Sequence, residues 1–239
     1  MPRTQTLAAI APLLADRGWT HLDARCALDQ PDGIAWTEGS GLVLAWGRPA
    51  VVHAIELEPF GPTSRVLADV VPGLPARLEL RAGPAAGGIL IETHRVELLA
   101  PMRRFVHRRP GPSDPPKGLV PLAPDQADAV RAIPDADAPL PPPVLPPGWL
   151  GVVRQGELVA ATGPVASGPD TTFLAAPRLA KAARDAHTVS RLLSAAVPST
   201  GTTALDLRVD RRDRRALIEE AGFEEVGVWE RWWCVRRDV

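Results

Sequence analysis

By residue type, His187 is the side chain of this 239-residue chain best suited to take a proton near neutral pH, because an imidazole titrates there without perturbation. It falls inside a long apolar-periodic stretch that reads as a helix. Asp170, at the border of a short predicted strand, is a second candidate base. The composition removes other chemistry. The chain has no tyrosine and no asparagine, so no mechanism can draw on a phenolic acid or an Asn amide. His53, His94 and His107 sit on separate predicted strands or edges, and their spacing does not form a metal site. Cys26 and Cys234 are too far apart to read as a metal-ligand pair or a disulfide framework. Two isolated thiols point to a reducing, cytoplasmic setting. No nucleophilic-serine motif, Walker loop or dinucleotide fingerprint appears, and Gly87-Gly88 reads as a turn.

Charge narrows the partners. The formal net charge is −1, with 27 basic and 28 acidic residues, which argues against a general nucleic-acid binder. The densest charged run, Arg208-Val-Asp-Arg-Arg-Asp-Arg-Arg215, interleaves Asp210 and Asp213 with the arginines and holds no aromatic to stack a base. It reads as a solvated helix entry, with Asp210 or Asp213 as a candidate cap. The apolar stretch Leu7–Ala15 is broken by Pro12 and followed by Asp16-Arg17, so it reads as one face of a first helix. No run approaches the ~20 apolar residues of a membrane span.

These residues need elements to hold them. Proline punctuates most strongly: thirteen of the 27 prolines lie within residues 110–147. Pro110–Pro116 reads as an interdomain linker, since proline removes donors and favours extended chain. The expected organisation is a lobe over residues 1–109, a linker over 110–117 and a second lobe over 118–239.

Before the linker, a helix (Leu7–Arg17) precedes a hairpin (Leu42–Trp46 and Val51–Leu57) turning at Gly47-Arg48-Pro49. A helix (Thr63–Val71) and strands at Ala76–Arg81, Gly88–Glu92 and Met102–His107 follow. After the linker come a helix (Ala123–Ile133) and strands at Gly151–Arg154 and Glu157–Pro164 around a Gln155-Gly156 turn. A short strand (Thr171–Ala175), a long helix (Ala180–Val197) and a strand (Thr203–Val209) come next. The last elements are a helix (Asp213–Ala221) and two terminal strands (Phe223–Val228 and Arg231–Arg236). Val189, Leu192, Leu193 and Ala196 form one buried stripe on the long helix. The mixture predicts an α/β or α+β sheet fold. Trp229 and Trp233 share one face of the last strand, with Trp232 opposite. They could pack in a core, wall a pocket or make a homodimer surface.

Three stretches of the second half resemble the GNAT acetyltransferase superfamily. Gly118–Ala129 resembles the opening strand and first helix. Gly151–Ala160 resembles the hairpin of the second and third strands. Leu205–Asp210 followed by Arg215–Phe223 resembles the strand–helix–strand unit that ends in Gly-Phe, where Gly222 can adopt the left-handed conformation that stops a helix. More faintly, Arg95–His107 resembles the end of the first lobe in two-lobed members. The resemblance implies two GNAT-like lobes, each a mixed, mostly antiparallel sheet flanked by helices. It also implies acetyl-CoA or another acyl-CoA as cosubstrate, no metal, and a small-molecule or peptide amine as acceptor.

In such enzymes the pantetheine arm lies along the exposed backbone of the fourth strand, and the pyrophosphate sits on the N-terminus of the following helix. The resemblance places that region at Leu174, Ala175 and Ala176 and at Arg178, Lys181, Ala183 and Arg184. The family's loop is glycine-rich, yet Ala175–Asp185 has no glycine. Arg178, Lys181 and Arg184 would meet phosphate by charge, or else form a solvated basic turn. A gap-free register from Pro177 sets Ala180, Ala183 and Asp185 at the motif positions. Ile218 stands where the family often carries a tyrosine acid. The sequence therefore leaves two readings open: an acyl-CoA-dependent N-acyltransferase, or a non-catalytic GNAT-like protein that binds a ligand or partner.

Overall fold

The computed structural model describes residues 3–10, 33–39, 41–46, 50–56, 63–82, 87–111, 118–135, 138, 140–168 and 170–237. In chain order the first elements are β1 (Arg3–Thr6), β2 (Ile34–Glu38), β3 (Gly41–Trp46), β4 (Ala50–Glu56) and α1 (Thr63–Val70). They are followed by β5 (Arg77–Ala82), α2 (Gly87–Leu90) and β6 (His94–His107). Then come β7 (Leu119–Pro121), α3 (Ala127–Ala132), β8 (Leu150–Arg154), β9 (Glu157–Thr162) and β10 (Pro164–Ser167). The series closes with β11 (Thr171–Leu174), β12 (Arg178–Leu179), α4 (Ala186–Ala196), β13 (Thr202–Arg208), α5 (Arg212–Glu220) and β14 (Glu224–Arg236). Two compact units divide them: Met1–Arg103 with Gly227–Val239, and Arg104–Val226. Each combines sheet with helices, the mixed α+β architecture that the alternation of patterns predicts.

In the first unit the strand order is β1-β2-β3-β4-β5-β14. All neighbours are antiparallel except β4 and β5. The expected hairpin forms in register from Gly41↔Glu56 to Trp46↔Val51. Val66, Leu67 and Val70 of α1 pack on Val43, Val52, Leu78 and Leu80 of the strands, the spacing of an amphipathic helix. Two expectations are corrected. Gly88–Glu92 is not a strand: Gly87–Leu90 is a helical turn with Leu90 buried, closed by Thr93 N–H donating to the Leu90 carbonyl. A four-residue apolar run carries no period that separates the two states. The two expected terminal strands are one, β14, paired without a break from Glu230↔Ala82 to Val235↔Arg77. Nothing between Val228 and Arg236 is a turn residue.

Across this pairing Arg231 donates twice to Glu79, at 2.9 and 2.7 Å. Burial pushes the Glu79 carboxyl up, but Arg231 and Arg81 outweigh it and hold the group below its usual range. Trp229 is buried, with the Arg81 guanidinium 5.5 Å from its ring centroid. Leu7–Ile10 is a 3-10 turn. The rest of the expected first helix, Cys26 and most of the 110–117 linker lie outside the described residues.

The second unit has two ladders. One is β7-β8-β9-β12, antiparallel throughout; the other runs β13-β11-β10, with β11 and β13 parallel. Gln155 (φ 53°) and Gly156 (φ 83°) make the expected tight turn between β8 and β9. Two successive positive φ values match the twist of a two-residue hairpin. Helices α4 and α5 pack on a cluster that includes Ala160. Helix α3 packs on a second cluster that includes Ala161 and Trp149. Ala160 and Ala161 are neighbours on β9, so the two clusters cover opposite faces. Helix α5 ends as expected: Gly222 has φ 87°, and Phe223 N–H donates back to the Ile218 carbonyl. Neither Asp210 nor Asp213 caps α5. Its N-cap is Arg211, without a side-chain bond, and Asp210 pairs with Arg208 instead.

Candidate functional site

One bent hairpin builds the site. Its first arm is β9 followed by β10, and its second is β11 followed by β12. The outer halves, β10 and β11, pair in one ladder; the inner halves, β9 and β12, pair in the other. The corner falls at Gly163 and at Ala175-Ala176-Pro177. Ala175 N–H donates to the Gly163 carbonyl at 2.9 Å, and Thr162 Oγ1 donates to the Ala175 carbonyl at 2.7 Å. Trp149 packs against the corner and donates to the Pro164 carbonyl. A Cβ on Gly163 would fall 2.4 Å from the Trp149 ring, so this close approach requires glycine.

The bend parts two parallel strands. β11 and β13 pair from Thr171↔Thr202 to Leu174↔Leu205 and no further. Beyond that point β13 continues to Arg208, while β12 turns away to pair with β9. Ala180 N–H donates to the Val159 carbonyl. Successive residues of a strand bond on alternate sides, so the polar groups of Pro177 and Leu179 face the side away from β9.

That edge is already satisfied by the chain itself. Leu179 N–H donates to Asp135 Oδ2 at 2.8 Å. The Pro177 carbonyl accepts from Arg214 Nη1 at 3.3 Å, and the Leu179 carbonyl from Arg184 Nε at 3.3 Å. Pro177 has no N–H to offer. Arg214 Nη2 closes the set by donating to Asp135 Oδ1 at 2.5 Å. Asp135 follows α3 on one face; Arg214 belongs to α5 on the other. The pair therefore meets at the edge of Pro177 and Leu179, three to five residues past the last β11–β13 pair, and both side chains are buried. Arg178 fixes the loop that carries Asp135, donating to the carbonyls of Ile133, Asp135 and Ala138 at 3.0–3.1 Å.

The N-terminus of α4 is filled as well. Asp185 caps it, accepting from Thr188 N–H at 2.8 Å and Thr188 Oγ1 at 2.7 Å. Arg154 bridges Asp185, Thr188 Oγ1 and the Ala182 carbonyl. The Thr188 N–H bond, with help from the Thr188 hydroxyl and Arg154, holds the Asp185 carboxyl below its usual range. Asp185→Ala is expected to cost about 1 kcal/mol at pH 7, the usual value of an N-cap. Because the folded-state pKa is depressed, this contribution is present above the ordinary value of 3.8 and is lost as pH falls through the lower folded value. Urea denaturation of both proteins at pH 7 and pH 3 checks it; a difference that stays constant with pH rejects it.

The expected site residues scatter around this arrangement. Leu174, Ala175, Ala176 and Ala183 are buried in the strand corner and the core. Arg178 is buried on β12 rather than on a helix. Lys181 is exposed in a 3-10 turn over Lys181–Ala183, and Arg184 leans on Asp135 at 3.6 Å. The long helix expected from Ala180 starts instead at Ala186, because Asp185 caps it there. His187 is exposed in its first turn. Asp170 is exposed at the far end of β11, about 13 Å of strand from the point of parting. Ile218 is buried among apolar side chains.

Sequence reasoning missed Asp135, Arg214 and Asp206. Arg214 had a signal: it stands four residues before the buried Ile218, on the same helix face. Asp206, one residue past the last β13 position paired with β11, accepts a bidentate pair of bonds from buried Arg104 at 2.8 and 2.9 Å. The Arg104 guanidinium lies 4.7 Å from the Phe173 ring centroid. Among the described residues no group of three metal-ligating side chains gathers, and no helix is long and apolar enough to cross a membrane.

No family model matches the sequence, and no curated protein does. Solved structures do match, over nearly the whole chain. A Drosophila protein aligns with 100% of this chain and 99% of its own at a TM-score of 0.65 and 12% identity. A GCN5-related N-acetyltransferase from Kribbella flavida aligns over 90% and 93% at 0.59 and 15% identity. An acetyltransferase of the GNAT family from Colwellia psychrerythraea aligns over 99% and 100% at 0.52 and 12% identity. The chain has the GNAT fold. The parting of β11 and β13 is the point at which this fold is expected to admit acyl-CoA.

The residues at that point of the GNAT fold do not fit acyl-CoA in the conformation described. A thioester arm needs free main-chain groups on the strand edge, and side chains hold them. A pyrophosphate needs free N–H groups and close backbone approach at the helix start. Here Asp185 already sits there as the anion, and no glycine stands between Ala175 and Asp185.

Proposed function

We propose that this protein is a GNAT-fold acyltransferase that passes an acyl group from acyl-CoA to an amine, a small molecule or a peptide N-terminus or side chain. The parting of β11 and β13 after Leu174↔Leu205 carries this reading. Strands that part in mid-sheet give up ladder hydrogen bonds that other groups must replace, as Asp135, Arg214 and Arg184 do here. Acceptor choice is assigned to the proline-rich loop, where Leu140 and Val144 are exposed.

A second reading is favoured by one observation. With Pro177 and Leu179 satisfied from within, the chain resembles a GNAT-fold protein that binds another ligand or a partner without transferring an acyl group.

Thermal denaturation with acetyl-CoA separates the two. A ligand that binds only the folded state raises Tm, by about 2.7 kcal/mol of stability at a hundredfold excess over Kd. The acyltransferase reading expects a rise at millimolar acetyl-CoA, together with release of free thiol in the presence of an amine mixture. No rise and no thiol leave the binding-protein reading.

A further inference from the structure

We propose that the strand edge at Pro177 and Leu179 is a ligand site that the chain fills with its own carboxylate, so that an incoming acyl oxygen enters only by displacing Asp135. Three observations carry this. The donors converge: Leu179 N–H and Arg214 Nη2 aim at the two oxygens of one carboxylate, 2.8 and 2.5 Å away, with Arg184 3.6 Å behind. Such a set suits any acceptor oxygen that is charged or strongly polarised, a carboxylate or the carbonyl of an acyl group. Next, Asp135 is not part of the sheet. It reaches the edge from the loop after α3, across 44 positions of sequence. Finally, the pair joins elements on opposite faces of the sheet, α5 and the loop after α3, at the edge that β12 presents after the strands have parted.

The energetics make the arrangement consequential. A buried ion pair is no strong source of stability compared with apolar packing of the same volume, so stability alone does not account for a carboxylate and a guanidinium at this strand edge. The pair does lower the apparent affinity of anything that uses the same donors. If Asp135 leaves the edge in fewer than about one molecule in ten, apparent binding weakens by roughly tenfold or more, the reciprocal of the open fraction.

The proposal rests on the acyltransferase reading only for the identity of the ligand, and the test separates the two. The proteins are the full chain and its Asp135→Ala variant; the probes are acetyl-CoA, measured by calorimetry, and sodium formate, compared with sodium chloride at equal ionic strength. The expected result has three parts. Asp135→Ala binds acetyl-CoA at least roughly tenfold more tightly than the wild type. Formate raises the Tm of Asp135→Ala by roughly 3–6 °C and leaves the wild type unchanged. Formate also competes with acetyl-CoA in the variant alone, which a merely structural ion pair would not produce. Equal acetyl-CoA affinity in both proteins overturns the proposal and leaves the acyltransferase reading standing. If neither protein binds acetyl-CoA while formate still stabilises the variant, the acyltransferase reading falls and the edge stands as a carboxylate site. If formate has no effect either, the proposal falls too. Should Asp135→Ala not fold, Asp135→Asn keeps the volume and removes the carboxylate charge while leaving Leu179 N–H and Arg214 in place. That protein is expected to bind acetyl-CoA more tightly than the wild type; wild-type affinity in it overturns the proposal.

Discussion

Arg178→Met is expected to lower stability by roughly 3–5 kcal/mol, because several buried carbonyls lose their charged donor at about 1–3 kcal/mol each. Arg178 is 6% exposed, and its guanidinium serves the carbonyls of Ile133, Asp135 and Ala138. Methionine fills the volume but donates nothing, so those buried acceptors lose the donors that replaced water. Lysine does not restore them, because one ammonium cannot copy a planar fork that reaches several carbonyls. Lys181→Ala, at an exposed neighbour three residues on, is expected to stay within about 0.5 kcal/mol of the wild type. Urea denaturation of the three variants checks this. Arg178→Met with wild-type stability but altered acetyl-CoA response would instead return Arg178 to the ligand, as the sequence-based register had it.

Arg104→Met is the second large effect, again roughly 3–5 kcal/mol. Arg104 is 1% exposed, holds both oxygens of Asp206 and lies over the Phe173 ring. Removing it leaves the Asp206 carboxylate in a poorly solvated place without those two donors. The paired change Arg104→Met with Asp206→Leu removes both charges and is expected to recover most of the loss. The coupling between the two sites should be within the roughly 0.5–3 kcal/mol found for directly interacting residues. Additive single effects in the double-mutant cycle would show that the geometry does not report an energetic pair. The experiment bears on function because Asp206 follows directly on the last residue of β13 paired with β11. With Arg104 gone, it is the carboxylate closest in sequence to the point of parting.

Much of the fold was legible where the signal is local. The Gln155-Gly156 turn, the Gly222 stop with Phe223 turned inward, the β3–β4 hairpin and the stripe Val189, Leu192, Leu193 and Ala196 each rest on neighbours within a few positions. The GNAT resemblance read from Gly118–Ala129, Gly151–Ala160, Leu205–Asp210 and Arg215–Phe223 agrees with the fold. The errors fall where a local pattern had two solutions. Gly87–Leu90 is too short for its period to separate helix from strand. The start of α4 moved from Ala180 to Ala186 because the Asp185 side chain captured Thr188 N–H. The sequence displayed Asp185 at a motif position without showing that it would act as a cap.

The sequence by itself determined most of the element types, the Gln155-Gly156 and Gly222 turns, and the lack of a glycine cradle and of any tyrosine. These follow from φ preferences, side-chain periodicity and the presence or absence of a functional group, none of which requires knowing what lies opposite. Only the tertiary structure decided what faces the parted strands. Asp135 and Arg214 are 79 positions apart, and their types are those of ordinary surface residues. A buried ion pair comes into being only when packing removes two distant charges from water together, and no pattern along the chain encodes that event.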